Sequence, residues 1–299
     1  MTDLVVLDAP SNLGLRPPAD GAVPGCYKTP GVLRDLGILA TLGATDAGVV
    51  TPGRYLSTWA PGDGVRNSAG IASYTRALAA RLAKIRAGGG FPVVLGGDCS
   101  IALGAALALR REGRYGIAYL DGHDDFRSLE NAPHVGAAAG EDLAIMTGRG
   151  APELADLDGL RPYVRDEDVV VLGVRERESG NLRTAGIRAV SSESITAGGV
   201  GEAIRAARET FEGLDGFWVH VDIDVLDPKY VSAVDSPDPG GLDPDALVSL
   251  LRGLFALPGA AGFELTVFDP DLDPDGAQAR LVHEVLARAF ADFRSGSGS

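Results

Sequence analysis

The chain has 299 residues, 45% hydrophobic and 23% charged, the composition of a globular protein with a sizeable core. Its formal net charge of −14, from 27 basic and 41 acidic residues, argues against nucleic acid or an anionic membrane surface as a partner. No apolar run approaches the roughly 20 residues of a membrane span, the N-terminus lacks a signal-peptide pattern, and two widely separated cysteines, Cys26 and Cys99, fit a cytoplasmic, reducing setting.

In chain order, "LVVLDAP" (4–10) is a short apolar strand ending in a Pro turn. "TPGVLRDLGILATLG" (29–43) has a Pro near its start and apolar residues at helical spacing. In 71–90, Ile71, Tyr74, Leu78, Leu82 and Ile85 recur every three or four residues, and Gly88–Gly90 ends the helix. "FPVVLGG" (91–97) predicts a buried strand and 100–113 the helix after it. Strands follow at 115–123, 168–176, 216–225 and 261–270, and helices at 198–213, 243–257 and 275–293. Apolar Val/Ile/Leu runs alternating with amphipathic helices predict a single α/β domain over 1–293, with a mostly parallel central sheet in a three-layer α/β/α sandwich. The "RSGSGS" end, 294–299, reads as a flexible tail.

In such sheets the ligand site lies at the carboxyl ends of the strands, and the polar residues of this chain gather there. One strand end carries Asp98 and Cys99, the next Asp121, His123, Asp124 and Asp125, a later one Asp222, Asp224 and Asp227, and the last Glu264. Side chains at i and i+2 of a strand share a face, so Asp121, His123 and Asp125 are expected to point one way, and so are Asp222 and Asp224. Carboxylates converging there cannot all stay ionised without a compensating cation, and divalent metals supply it. Four carboxylates, one imidazole and one thiolate are enough for two metals that share bridging carboxylates. Several neighbours have simpler readings. Asp98 reads as a cap, Asp124 as capping or solvent-facing, Asp227 as a turn residue, His220 as a core or supporting histidine, and His283 as a surface or packing residue.

Together the motifs resemble those of the ureohydrolase (arginase–agmatinase–formiminoglutamase) family: "GGDCS" (96–100), "DGHDD" (121–125), "DIDVLDP" (222–228) and the late Glu264. "GCYKTPGVLRDLG" (25–37), "LGVRERE" (172–178) and "SPDPGGL" (236–242) are similar to other segments of the family. The chain departs from the pattern at Cys99, where the family usually has histidine. Gly96–Gly97 lets the backbone approach the site so that this side chain enters the cluster. The resemblance implies one metal held by Cys99, Asp121, Asp125 and Asp222, and a second by His123, Asp121, Asp222 and Asp224. Manganese is the metal it implies; a thiolate is softer than imidazole and leaves zinc, iron, cobalt or nickel open.

By the same resemblance the chain is a metal-dependent amidinohydrolase, cleaving a C–N bond of a small guanidino or amidino compound by attack of hydroxide generated between the two metals. Glu264 would pair with the guanidinium, Asp125 would move a proton to the leaving amine, and His134 is the candidate proton shuttle. Glu178 would hold the substrate's α-amino group, with Glu130, Asn131 and Glu141 as further contacts; a competing alignment puts Ala139 at the histidine position. Arginine, agmatine, guanidino-acids, formiminoglutamate and N-hydroxyarginine remain as substrates, the last favoured by cysteine at position 99. The resemblance also implies a homo-oligomer, trimer or hexamer. The alternative outside enzymology is a non-catalytic binding protein of the same fold.

Overall fold

The computed structural model describes residues 3–128 and 130–293, so the tail expected at 294–299 lies outside the described residues. Eight parallel strands form one sheet: β1 (Leu4–Ala9), β2 (Thr45–Val49), β3 (Phe91–Gly96), β4 (Tyr115–Leu120), β5 (Val169–Leu172), β6 (Arg188–Val190), β7 (Gly216–Asp222) and β8 (Ala260–Thr266). Their spatial order is β2-β1-β3-β8-β7-β4-β5-β6. Every residue of β3 and β7 is buried, which is why these strands read as unbroken apolar runs.

Alternate residues feed two hydrophobic cores, one on each face. Val93, Leu95, Phe217, Val219 and Val221 pack with helices Val200–Thr210, Pro244–Phe255 and Ala277–Phe290. Val94, Val169, Val171 and Trp218 pack with helices Ser68–Ala87, Ala102–Glu112 and Asp142–Met146. The result is the expected three-layer α/β/α sandwich. The helix expected over 29–43 is two pieces, Thr29–Asp35 and Ile38–Leu42, because Gly37 between them has φ +82°. Sequence reading missed β2 and β6. Both are short edge strands, and β2 buries none of its residues, so neither carries an apolar run.

The four central strands, β3, β8, β7 and β4, carry the polar motifs at their carboxyl ends. Three of these ends close with the same device, an Asp carboxylate that accepts the backbone N–H two residues on. Asp98 takes Ser100 N at 2.9 Å, Asp121 takes His123 N at 2.6 Å, and Asp222 takes Asp224 N at 2.8 Å. The strands therefore stop at or before the motif, earlier than the sequence predicts. Asp121, His123 and Asp125 meet through an irregular turn, with Asp125 at φ +41°, and not through strand alternation.

Candidate functional site

Cys99 is fully buried, and its thiol donates to Asp222 Oδ2 at 2.7 Å, with Thr266 Oγ1 at 3.4 Å. Gly97 lets the chain in: a Cβ there would lie 1.8 Å from the Ser11 carbonyl oxygen. Asp98 is a cap, as expected, accepting also from Ser11 Oγ at 2.7 Å. His123 Nδ1 sits 2.8 Å from Asp224 Oδ2 and 3.7 Å from Asp121 Oδ1. Asp121 is fully buried, and its Oδ2 has no hydrogen-bond partner. Asp125 accepts from the Tyr119 hydroxyl at 3.0 Å, and that hydroxyl also lies 3.1 Å from Asp142 Oδ2. Two donor triplets emerge, Asp121–His123–Asp224 and Cys99–Asp121–His220, each with ligand atoms within 4.8 Å of one another and with Asp121 common to both.

The electrostatics follow from crowding acids in a dry place. Burial pushes the carboxyls of Asp125, Asp142 and Asp222 well up, and neighbouring carboxylates add to it. Burial also raises Asp121, with Asp224 the next cause, and it raises the Cys99 thiol, with Asp222 next. Burial opposes a charge on His123, but Asp121 and Asp224 overcome it and hold its pKa at about 12. Asp224 is the exception: burial opposes its ionisation, yet His123 and then Arg175 bring it below the ordinary carboxylate value.

These shifts set a pH dependence for the metal-free protein. The raised Asp121, Asp125, Asp142 and Asp222 contribute most when protonated, and the raised His123 contributes most when its unfolded counterpart is also charged. Both contributions are lost as pH rises through the folded pKa values. Asp224 adds stability above its unfolded pKa near 4 and does not change from pH 5 upward. Denaturant unfolding of metal-stripped protein is therefore expected to show stability falling from pH 5 to pH 8. A rise over that interval would contradict the buried carboxylate cluster.

A cavity of about 680 Å³ opens over this cluster, a volume suited to a small molecule. His123, Asp125, Asp222 and Asp224 line it, and Val267, just past β8, lines it beside them. A family model described as Arginase family matches residues 23–291. The chain belongs to the arginase family. An arginase of Bacillus caldovelox is 31% identical over 252 residues, covering 81% of this chain and 82% of that protein. A formimidoylglutamase of Halobacterium salinarum is 31% identical over 291 residues, covering 94% of this chain and 86% of that protein. The native structure of the Bacillus caldovelox arginase superimposes with a TM-score of 0.86 at 27% identity, covering 97% of this chain and 98% of that one.

Within this arginase-family fold most of the expected substrate contacts do not line this cavity. Glu264 does not reach the cleft: it is fully buried, with Oε1 2.8 Å from His220 Nδ1. Its strand continues past it to Thr266 before the chain turns at Val267, and it is Val267, then Asp269 and Asp271, that line the cavity from this side. His134 is exposed and outside the cavity lining. Glu178 is half-buried beside Arg177, with 3.6 Å between charged atoms, and also outside it. Glu130 is exposed, and Asn131 spends its side chain on the local turn, accepting from Ser128 N at 2.7 Å and donating to the Phe126 carbonyl at 3.1 Å. Glu141 is buried without a hydrogen-bond partner, and burial raises its pKa to about 7. Ala139 lines the cavity. The simpler readings fare better. Asp124 caps Phe126 N at 3.2 Å, though it is buried and not solvent-facing; Asp227 accepts from Lys229 N and Gly240 N; His283 meets Thr41 at the surface.

Six residues at or around the site went unread in the sequence. Tyr119 shares a strand face with Asp121 and bridges Asp125 and Asp142; an apolar-run tyrosine at i−2 was the available signal. Asp142 opens a five-residue helix and looks like a first-turn acid. Arg175, in the "LGVRERE" segment, is fully buried and donates through Nη2 to the carbonyls of Asp224, Leu226 and Asp238 at 2.9, 3.3 and 2.6 Å. It clamps the "DIDVLDP" turn to the "SPDPGGL" loop and puts a fixed positive charge behind Asp224. Finally, Arg16, Arg66 and Arg127 all line the cavity.

Proposed function

We propose that this arginase-family chain is a metal-dependent hydrolase of a small guanidino or formimino acid, cleaving a C–N bond. The observation that carries the reading is the pair of donor triplets sharing Asp121 beneath a cavity walled by three arginines. The residues fit a pair of divalent cations: Asp121 Oδ2 is buried with no partner, and burial, with neighbouring carboxylates adding to it, raises Asp121, Asp125, Asp142 and Asp222. Asp121, His123, Asp125, Asp222, Asp224 and Cys99 would hold the ions, manganese by family resemblance or a softer metal at the thiolate. When bound, such ions supply Lewis acidity and a nucleophile at neutral pH.

The chain's own residues do the rest. Asp125 lines the cleft, and Tyr119 and Asp142 beside it keep a proton in the cluster for delivery to the leaving amine. Arg127 lies near enough to Glu141 to lower its pKa against burial, and Arg66 stacks on Trp59 at 4.3 Å with its Nε buried and unpaired. Such guanidinium groups suit a substrate carboxylate. The names of the relatives, arginase and formimidoylglutamase, agree with this chemistry. With Glu264 buried, the cleft's own aspartates are the groups able to face the substrate's cationic end. The single sheet acts as one catalytic domain, the two buried free thiols suit a cytoplasmic setting, and a trimeric or hexameric assembly goes with the family. Among the described residues no helix is long and apolar enough to cross a membrane.

The test is a screen of guanidino and formimino compounds against metal-free protein given Mn, Zn, Co, Fe or Ni, reading urea, hydroxyurea, ammonia or formamide. The expected result is turnover of arginine-like or formimino acids, with agmatine, which lacks a carboxylate, at least about tenfold poorer in kcat/KM. Agmatine as the preferred substrate, or no metal-dependent turnover of any compound, would overturn the reading.

A further inference from the structure

His220 sits on β7 two residues before Asp222, so both side chains lie on one face of the strand. It pairs in register with Tyr119 on one side and Glu264 on the other. The Tyr119 ring stacks on the imidazole, with centroids 4.4 Å apart and planes 15° apart, and Glu264 holds Nδ1 at 2.8 Å. Both His220 and Glu264 are fully buried. With Nδ1 bonded to a carboxylate, the tautomer that donates there leaves a lone pair on Nε2, and this atom is buried with no partner. Asp121 Oδ2 is a second buried atom with none. These two residues and Cys99 bring ligand atoms within 4.8 Å of one another. A carboxylate that fixes a histidine through one nitrogen and frees the other is the usual outer support of a metal-bound imidazole.

We propose that Cys99, Asp121 and His220 form an inner metal site, with Glu264 as the positioning residue that orients His220. This deepens the metal-dependent reading above and rests on it. The site differs from the ligand set implied by the sequence, in which His220 had no metal. One thiolate, one imidazole and one carboxylate match zinc or cobalt(II) better than an oxygen-preferring ion. The outer triplet, His123 and Asp224 with the shared Asp121, keeps a harder donor set, so the two positions differ in metal preference. Cys99 would thus share its ion with a histidine two residues before Asp222, and the glutamate expected to face substrate holds that histidine.

The test is a cobalt(II) titration of the full-length metal-free protein under anaerobic conditions, followed by absorption. The expected result is a thiolate-to-cobalt charge-transfer band that saturates and is absent in Cys99→Ser. In His220→Asn the ligand-field bands shift and cobalt affinity at that position falls at least about tenfold, and Glu264→Gln weakens it about 10–100-fold. Asp224→Asn, in the outer triplet, leaves the charge-transfer band in place. If His220→Asn does not fold, X-ray absorption of native protein carrying substoichiometric cobalt decides: sulfur and imidazole scattering together support the site, and sulfur without imidazole, or no sulfur, overturns it. Cobalt bound with no thiolate band, or with spectrum and affinity unmoved in His220→Asn, sinks the inner site and leaves the hydrolase reading standing. No cobalt, zinc or manganese binding at all removes both.

Discussion

Asp121→Asn is expected to abolish metal-dependent turnover while making the metal-free protein more stable. The two effects have one cause. Asp121 is fully buried, its carboxyl is pushed up by burial and then by Asp224, and one of its oxygens has no partner in the absence of a cation. Asparagine keeps an oxygen for the His123 N–H, which Asp121 now accepts at 2.6 Å, and removes the charge that the cluster has to accommodate. The metal-free variant is therefore expected to unfold at higher denaturant concentration than the parent at pH 8, because the raised buried carboxyls of the parent lose stabilising contribution as pH rises. Metal affinity moves the other way. Asp121 belongs to both donor triplets, so its loss is expected to cost more than the about 10–100-fold that removal of an outer partner costs. A loss of stability together with a loss of activity would mean that Asp121 serves packing and not cation binding. Unfolding curves with and without manganese, alongside the turnover assay, separate the two.

Gly97→Ala is expected to be the most damaging single methyl group in the chain's first motif. Gly96–Gly97 carries the chain from β3 between the end of β1 and the end of β8. An added Cβ at Gly97 would lie 1.8 Å from the Ser11 carbonyl oxygen and 2.7 Å from its backbone nitrogen. These are backbone atoms held by the Asp98 N–H bond to Ser11 at 3.1 Å and by the Val267 N–H bond to Gly97 at 2.7 Å, so neither side yields cheaply. We expect a loss of about 3 kcal/mol or more, at the upper end of overpacking costs. Val267, already at φ +73°, an outlying conformation for a β-branched residue, would move with its hydrogen-bond partner, and the cleft wall with it. Gly31→Ala is the matched control. It lies in the helix Thr29–Asp35, where an added Cβ would meet nothing within 4 Å, and is expected to be neutral or stabilising by up to about 1 kcal/mol. Chemical denaturation of both variants checks the contrast, and a Gly97→Ala protein as stable as the parent would refute the threading.

The central strands and the metal-type donors were legible in the sequence because burial on both faces leaves a strong trace. A strand such as Phe91–Gly96 must be apolar throughout, and an acid at its exit then stands out against that background. The edge strands left no such trace, since Thr45–Val49 is solvent-facing and Arg188–Val190 is three residues long. Strand ends were read too long for a specific reason: an aspartate that bonds the N–H two residues on stops a strand without glycine or proline having to announce it, as Asp222 does. For Glu264, strand position says which face a side chain takes, not how deep along the strand the cleft begins. Opposite His220, it lies below the level of Asp222 and Thr266, and therefore below the cleft. Tyr119, Asp142, Arg175 and the three cavity arginines were invisible as a group, since what unites them is convergence from distant segments, and no spacing along the chain records it.

The measurement that bears most directly on the account is metal content. Purified protein, stripped by chelation, incubated with excess manganese or cobalt and then desalted, is analysed for bound metal per chain by atomic emission. Two shared-ligand triplets predict retention of about two ions per chain, with chelation removing both the ions and the turnover. Protein that folds, carries the intact motifs and retains no divalent ion under these conditions would contradict the metal-dependent hydrolase.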